Sequence, residues 1–208
     1  MITRKAVIDI VLEGISGFMS DAFRGMTTQL NAQDKMYLGA PNAKGQRPIV
    51  FPVINMISYL TAVNTASAPK ILYPPKQYKE MAHAFASSII IEGDSIPFTR
   101  DGKPILFGEF KPLTKPDPTS SISERDPLSG CFVLHNTARL EKGVPNPKIR
   151  PVLPTPWTLA FQMTVVPSKV IDIADVQRMF EDGGRLVAIG TFRPLYGKFA
   201  LAKFDVHD

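Results

Sequence analysis

The 208-residue chain holds one cysteine (Cys131), one tryptophan (Trp157) and three histidines (His83, His135 and His207). A single cysteine excludes an internal disulfide and fits a reducing compartment. Without paired cysteines or histidines there is no zinc-binding signature. No stretch approaches the roughly 20 apolar residues of a membrane span. The apolar run after Thr3-Arg4-Lys5 is broken by Asp9 and Glu13, so it lacks the core of a signal peptide. The expected location is the cytoplasm, or the host cytoplasm for a phage-encoded chain, with no membrane partner.

Catalytic patterns are also missing. Gly14-x-x-Gly17 is not followed by the Lys-Ser/Thr of a phosphate-binding loop, and no G-x-S-x-G elbow occurs. Asp9, Asp21, Asp94, Asp101 and Glu109 are scattered rather than grouped as a two-metal site would need. His83 with Tyr78, or His135 with Arg139, are the pairs an RNA-cleaving site would use, and their spacing gives neither support. The expectation is a protein that is not an enzyme and carries no metal or cofactor.

What is present is a moderately basic, globular composition. The formal net charge is +5, the pI is near 9.3, and 44% of residues are hydrophobic. That charge suits a polyanionic partner. The length fits one domain, residues 1–208. Nineteen prolines gather toward the middle and point to extended loops there. The stretch at about 93–130, which includes KPLTKPDPTSSISERDPLSG, reads as an inserted proline-rich arm, because strand signals resume on both sides.

Along the chain, residues 5–13 alternate as a half-buried strand, with Ala6, Ile8, Ile10 and Leu12 on one face. Residues 18–48 read as loop with a short helix. Val53, Met56, Ile57, Leu60 and Val63 have helical spacing, and a second helix is expected over 75–86. A strand follows at 87–92. Asp101-Gly102 predicts a tight hairpin turn within 95–107. Strands are expected at 131–140 and 157–166, separated by a proline-rich connection. Asp172 with Asp175 marks the start of a helix, and Gly183-Gly184 its stop. Two strands, 185–192 and 198–206, then form a closing hairpin.

That hairpin, GGRLVAIGTFRPLYGKFALAKF, carries Arg185, Arg193, Lys198 and Lys203 and no acidic residue. Gly190 and Gly197 bracket its turn, where glycine lets backbone approach a ligand closely. Arginine forks onto phosphate or stacks on a base. Phe192, Tyr196 and Phe199 offer rings for base stacking, although Phe192 and Phe199 suit a core equally well. A second basic group, Arg139, Lys142, Lys148 and Arg150, faces one acid, Glu141, and is placed to wall the other side of a groove or to form a solvated loop.

Strand 157–166, helix 172–182 and the glycine-bearing hairpin resemble the second half of a ferredoxin-like, RRM-type domain. Gly190-x6-Gly197-Lys198-Phe199 resembles the glycine-rich loop of the RAMP superfamily, which supplies RNA-binding backbone subunits of CRISPR effector complexes. The G-x-F-R-P-x-x-G-x-F pattern of the tail is similar to that of small phage-encoded proteins. Thr191-Phe192 and a proline in the loop depart from the family pattern. The resemblance implies an α+β fold: an RRM-type antiparallel sheet with helices on one face and the inserted arm projecting from it. It also implies that Gly190, Arg193, Gly197 and Lys198 lie against nucleic-acid backbone, and that protomers line up side by side along the strand as a homo-oligomer or filament. The function so implied is non-catalytic binding of single-stranded DNA or RNA. The alternatives are an assembly protein that self-associates through the arm, or a metal-independent RAMP-type endoribonuclease.

Overall fold

The computed structural model describes residues 5–22, 31–114, 121–139 and 145–207. Its framework is an antiparallel sheet formed by β1 (Ala6–Gly14), β5 (Ile89–Ile91), β13 (Thr158–Val165) and β14 (Phe199–His207). β1 lies between β14 and β13, and β5 pairs with the far side of β13, all antiparallel. In chain order, the last strand lies beside the first, and the third strand beside the first and the second. With helices connecting first to second and third to fourth, this is the ferredoxin-like arrangement, and the α+β class is as expected.

The alternation of apolar residues drives this sheet. Ile8, Ile10 and Leu12 on β1 and Leu159, Met163 and Val165 on β13 are at most 1% exposed, whereas Asp9, Glu13 and Gln162 point the other way. The helices cover the first of these faces. They are α1 (Val53–Thr61), α2 (Ala68–Leu72), α3 (Tyr78–Ser88) and α4 (Ile173–Leu186). α4 starts at a reciprocal capping box: Asp175 N donates to Asp172 Oδ1 (2.8 Å) and Asp172 N donates to Asp175 Oδ2 (3.1 Å). Val176, Met179 and Phe180 carry its buried stripe.

Between β5 and β13 the chain builds additional strands. β6 (Ser95–Arg100) extends the main sheet and turns through Asp101 and Gly102 into β7 (Lys103–Pro104). Both turn residues have positive φ, 51° and 73°, as the Asp-Gly pair predicts. β4 (Val50–Pro52) pairs with β6. A second sheet has the order β2 (Phe18–Met19), β12 (Pro145–Leu153), β11 (Phe132–Arg139), β10 (Ile122–Arg125) and β9 (Lys111–Pro112). Phe18, Phe51, Phe98 and Trp157 join the two sheets, with ring centroids 4.8–6.4 Å apart.

Three expectations are corrected. The connection expected over 141–156 is largely strand β12. Its prolines are tolerated because they share one parity. His135 N donates away from β12, to Ser121 O (2.7 Å), so the even-numbered residues of β11 and β12 form their mutual ladder. Pro145, Pro147 and Pro151 are thus at positions whose N–H would point away from β11, so the β11–β12 ladder loses no bond, and on the β2 side the Pro151 carbonyl still accepts from Ser20 N (3.0 Å).

Gly183-Gly184 does not stop α4, which runs on to Leu186. Both glycines serve close packing: a Cβ on Gly183 would collide with the Tyr59 hydroxyl, and one on Gly184 would lie 2.5 Å from Phe199 O. The expected strand 185–192 is absent. After α4 the chain forms an irregular loop, residues 187–198, so the closing β-hairpin is instead a helix–loop–strand unit. Val187, Ala188 and Ile189, which read as strand, are at most 3% exposed because they plug the end of the core.

Candidate nucleic-acid interface

The 187–198 loop is fastened to β2 and to the segment that links β1 to it. Thr191 N donates to Met19 O (3.0 Å), Gly197 N to Gly17 O (2.8 Å) and Lys198 N to Ser16 Oγ (3.0 Å). Ile189 N closes the base of the loop on Gly197 O (3.0 Å). Gly190 and Gly197 both have positive φ, 85° and 75°. A Cβ on Gly190 would lie 2.6 Å from the Phe18 ring, and one on Gly197 would overlap the Ile189 carbonyl. The two glycines therefore permit close approach to the protein's own chain, and the Gly197 N–H is used internally.

The tip of the loop, from Thr191 to Tyr196, lies outside the core. Phe192 takes a positive φ of 60°, and its ring meets Tyr196 edge-on at 6.4 Å. Phe199 is fully buried, its ring tilted against Tyr59 in the core, so it offers no surface to a base. Arg193 is partly buried beside Tyr59, and burial lowers its pKa. A guanidinium stays charged even so. Among the described residues no hydrogen bond or ion pair satisfies it.

Arg193 borders a polar cavity of about 220 Å³, whose other walls include Asp21, Asn55, Ser58, Thr65 and Thr191. Asp21 does not neutralise Arg193. Arg150, on β12, donates through both Nε (2.8 Å) and Nη2 (2.6 Å) to one Asp21 oxygen. Tyr59 closes the floor of the cavity, its hydroxyl donating to Met179 O (2.7 Å) and its pKa raised by burial. These α1 and Asp21 contributions were not legible in the sequence. Asn55 and Ser58 look like ordinary exposed positions of a helix whose apolar spacing is its only signal.

The other candidate cations are dispersed. Arg185 is exposed on the last turn of α4, and Lys198 is half-buried at the base of the loop. Lys203 lies on the sheet face away from the helices, 2.9 Å from Asp205 and 3.9 Å from Asp9, which raise its pKa. It is neutralised, and that face also carries Glu13. Lys148 and Arg150 belong to β12, which reaches the glycine-rich loop through β2. Arg139 is placed by backbone only, opposite Pro145, and Lys142 lies outside the described residues.

The histidines lie elsewhere. His83 is exposed on α3, His135 Nε2 contacts Ser123 Oγ (2.8 Å), and His207 contacts Asp9 (2.9 Å). Burial pushes the Cys131 thiol up to about 12, which makes it inert as a nucleophile. Among the described residues no group of histidine, cysteine and acidic side chains is arranged to hold a metal, and no helix is long and apolar enough to cross a membrane.

Fold and site together define a ferredoxin-like α+β protein with a glycine-bearing loop, between its last helix and last strand, that holds over a polar cleft an arginine with no partner among the described residues. No family model and no curated protein matches the chain. Among solved structures it is similar to a chain of the Type III-B Cmr-beta complex bound to cognate target RNA, with a TM-score of 0.51 and 12% identity. The match covers 98% of this chain and 61% of that one, so this chain spans about three-fifths of its neighbour's length. At that identity the likeness establishes the fold.

Proposed function

We propose that this chain is a RAMP-like, non-catalytic protein that binds single-stranded DNA or RNA along the cleft between the glycine-rich loop and β12. One observation carries the reading: Arg193 is a partly desolvated cation with no acidic partner among the described residues, at the mouth of a cleft whose polar lining is hydroxyl and amide groups and the Asp21 carboxylate that Arg150 already engages. Leaving a buried charge unpaired is costly, and an incoming phosphate would relieve that cost. Tyr196 and Phe192, at the tip of the same loop, are placed to stack on unpaired bases. Lys198, Arg185 and Lys148 extend the cationic surface to either side, and Gly190 and Gly197 shape the loop that presents it. The structural neighbour belongs to an RNA-bound assembly, which favours the same ligand class. Protomers bound side by side along a strand remain part of this proposal.

Polarisation titrations with single-stranded DNA, single-stranded RNA and duplex at two salt concentrations test it. Binding to single strands should weaken steeply with salt, with a log–log slope of about −0.7 per phosphate contacted. Absence of salt-dependent single-strand binding would refute the proposal.

A further inference from the structure

The outer edge of β14 is unpaired among the described residues, and it carries a self-complementary charge pattern. Gly14 N donates to Trp157 O (2.8 Å), so the even-numbered residues of β1 point their backbone groups toward β13 and the odd-numbered ones toward β14. Val7, Asp9 and Val11 therefore bond His207, Asp205 and Lys203. Phe204 and Val206 consequently aim their N–H and C=O groups outward, away from the sheet, as does Leu201 beyond the register shift. On one face of this edge Leu201 and Phe204 are half-buried and Val206 is 45% exposed. On the other face Lys203, Asp205 and His207 alternate. A nine-residue edge with open backbone groups is a template for a further strand.

We infer that this edge pairs with the β14 edge of a second copy of the chain, antiparallel and centred on Phe204. The charges select both the occupant and the register. Two-fold pairing centred on Phe204 places Lys203 opposite Asp205 of the second copy twice over, as non-hydrogen-bonded pairs, where side chains are closest. Centring on Asp205 would oppose two aspartates, and centring on Lys203 two lysines. The Phe204 register also matches the outward groups of Phe204 with each other, on the face that carries Leu201 and Val206. The two sheets then merge into one. This pairing is independent of the loop, so it stands whether or not the chain binds nucleic acid.

Sedimentation equilibrium of the full chain, without nucleic acid and across a wide concentration range, tests the inference. A concentration-dependent dimer is expected. Val206→Pro removes an outward N–H without touching the β1 ladder and should abolish the dimer. Lys203→Asp alone and Asp205→Lys alone each place like charges opposite one another and should weaken self-association about tenfold. Mixing these two variants restores opposite charges at both positions, so they should form a mixed dimer at least as tight as the unaltered one. Circular dichroism establishes that each variant is folded. A chain that stays monomeric at every concentration would overturn the pairing, as would a dimer indifferent to Val206→Pro. Single-charge variants that fail to rescue each other on mixing would overturn the register.

Discussion

Arg193→Ala separates a binding arginine from a structural one. Arg193 is partly buried, beside Tyr59, and has no carboxylate or carbonyl partner among the described residues. Its removal breaks no internal hydrogen bond and relieves a desolvated charge, while losing some packing of its aliphatic stem. These effects oppose one another, so folding stability should change by no more than about 0.5 kcal/mol. A charge-assisted contact to phosphate contributes roughly 1.5–3 kcal/mol. Its loss should weaken single-strand affinity by about 10- to 150-fold, and the salt slope should shrink by about 0.7. The Lys203→Ala control removes a cation already held by Asp205 and Asp9, so affinity should be unchanged. The assay is polarisation with labelled oligonucleotides, paired with a thermal melt of each variant. If Arg193→Ala lowered the melting temperature by several degrees and left affinity intact, the arginine would be structural and the cleft misassigned.

Two further substitutions probe the framework. Gly197→Ala forces a Cβ into the Ile189 carbonyl at a φ of 75°. It should cost at least about 2–3 kcal/mol, seen as a fall in melting temperature of about 5–10 °C, and binding should weaken with it because the loop can no longer close. Asp9 accepts hydrogen bonds from Gln162 and His207, which hold its carboxyl below the ordinary carboxylate value. A depressed carboxylate stabilises the fold above its unfolded pKa, and that stability is lost as pH falls through the folded value. Asp9→Asn should therefore lower the melting temperature at neutral pH and make no difference in strong acid. An equal effect at both pH values would place its role in shape rather than charge.

Elements with strict periodicity or an unambiguous local signal were legible in the sequence. β1 and β13 follow from period-two alternation, α4 from the Asp172–Asp175 capping box, and the β6–β7 turn from Asp101-Gly102. Positions where tertiary packing overrides a local preference were not. Gly183-Gly184 reads as a helix stop, but Tyr59 and Phe199 approach too closely for any side chain, and the helix continues. The apolar run 187–189 reads as strand and is a buried loop, because an end of the core needs filling. Pro145, Pro147 and Pro151 read as loop, since only their shared parity, facing away from β11, makes strand pairing possible. In the candidate site the sequence supplied Arg193 but not its surroundings: Asp21, Asn55, Ser58 and Tyr59 converge on it from α1 and the β2 region, far away in sequence.

Location, rather than net charge, decides the functional reading. A formal charge of +5 would attract a polyanion anywhere if it were spread evenly. Instead, Arg150 is locked to Asp21 and Lys203 to Asp205, and the sheet face away from the helices mixes Asp9, Glu13 and Asp205 with its cations. An RRM-type mode that lays a strand across that face would meet these carboxylates and, among the described residues of β1, β13 and β14, no Phe, Tyr or Trp ring. The 191–196 tip offers the opposite combination, an arginine without a partner among the described residues, two aromatic rings and no acid of its own. Gly190 and Gly197 hold that tip against β2, whose neighbour β12 supplies Lys148. On the proposed reading, a ligand drawn to Arg193 meets Lys148 by running from the loop past β2 toward β12.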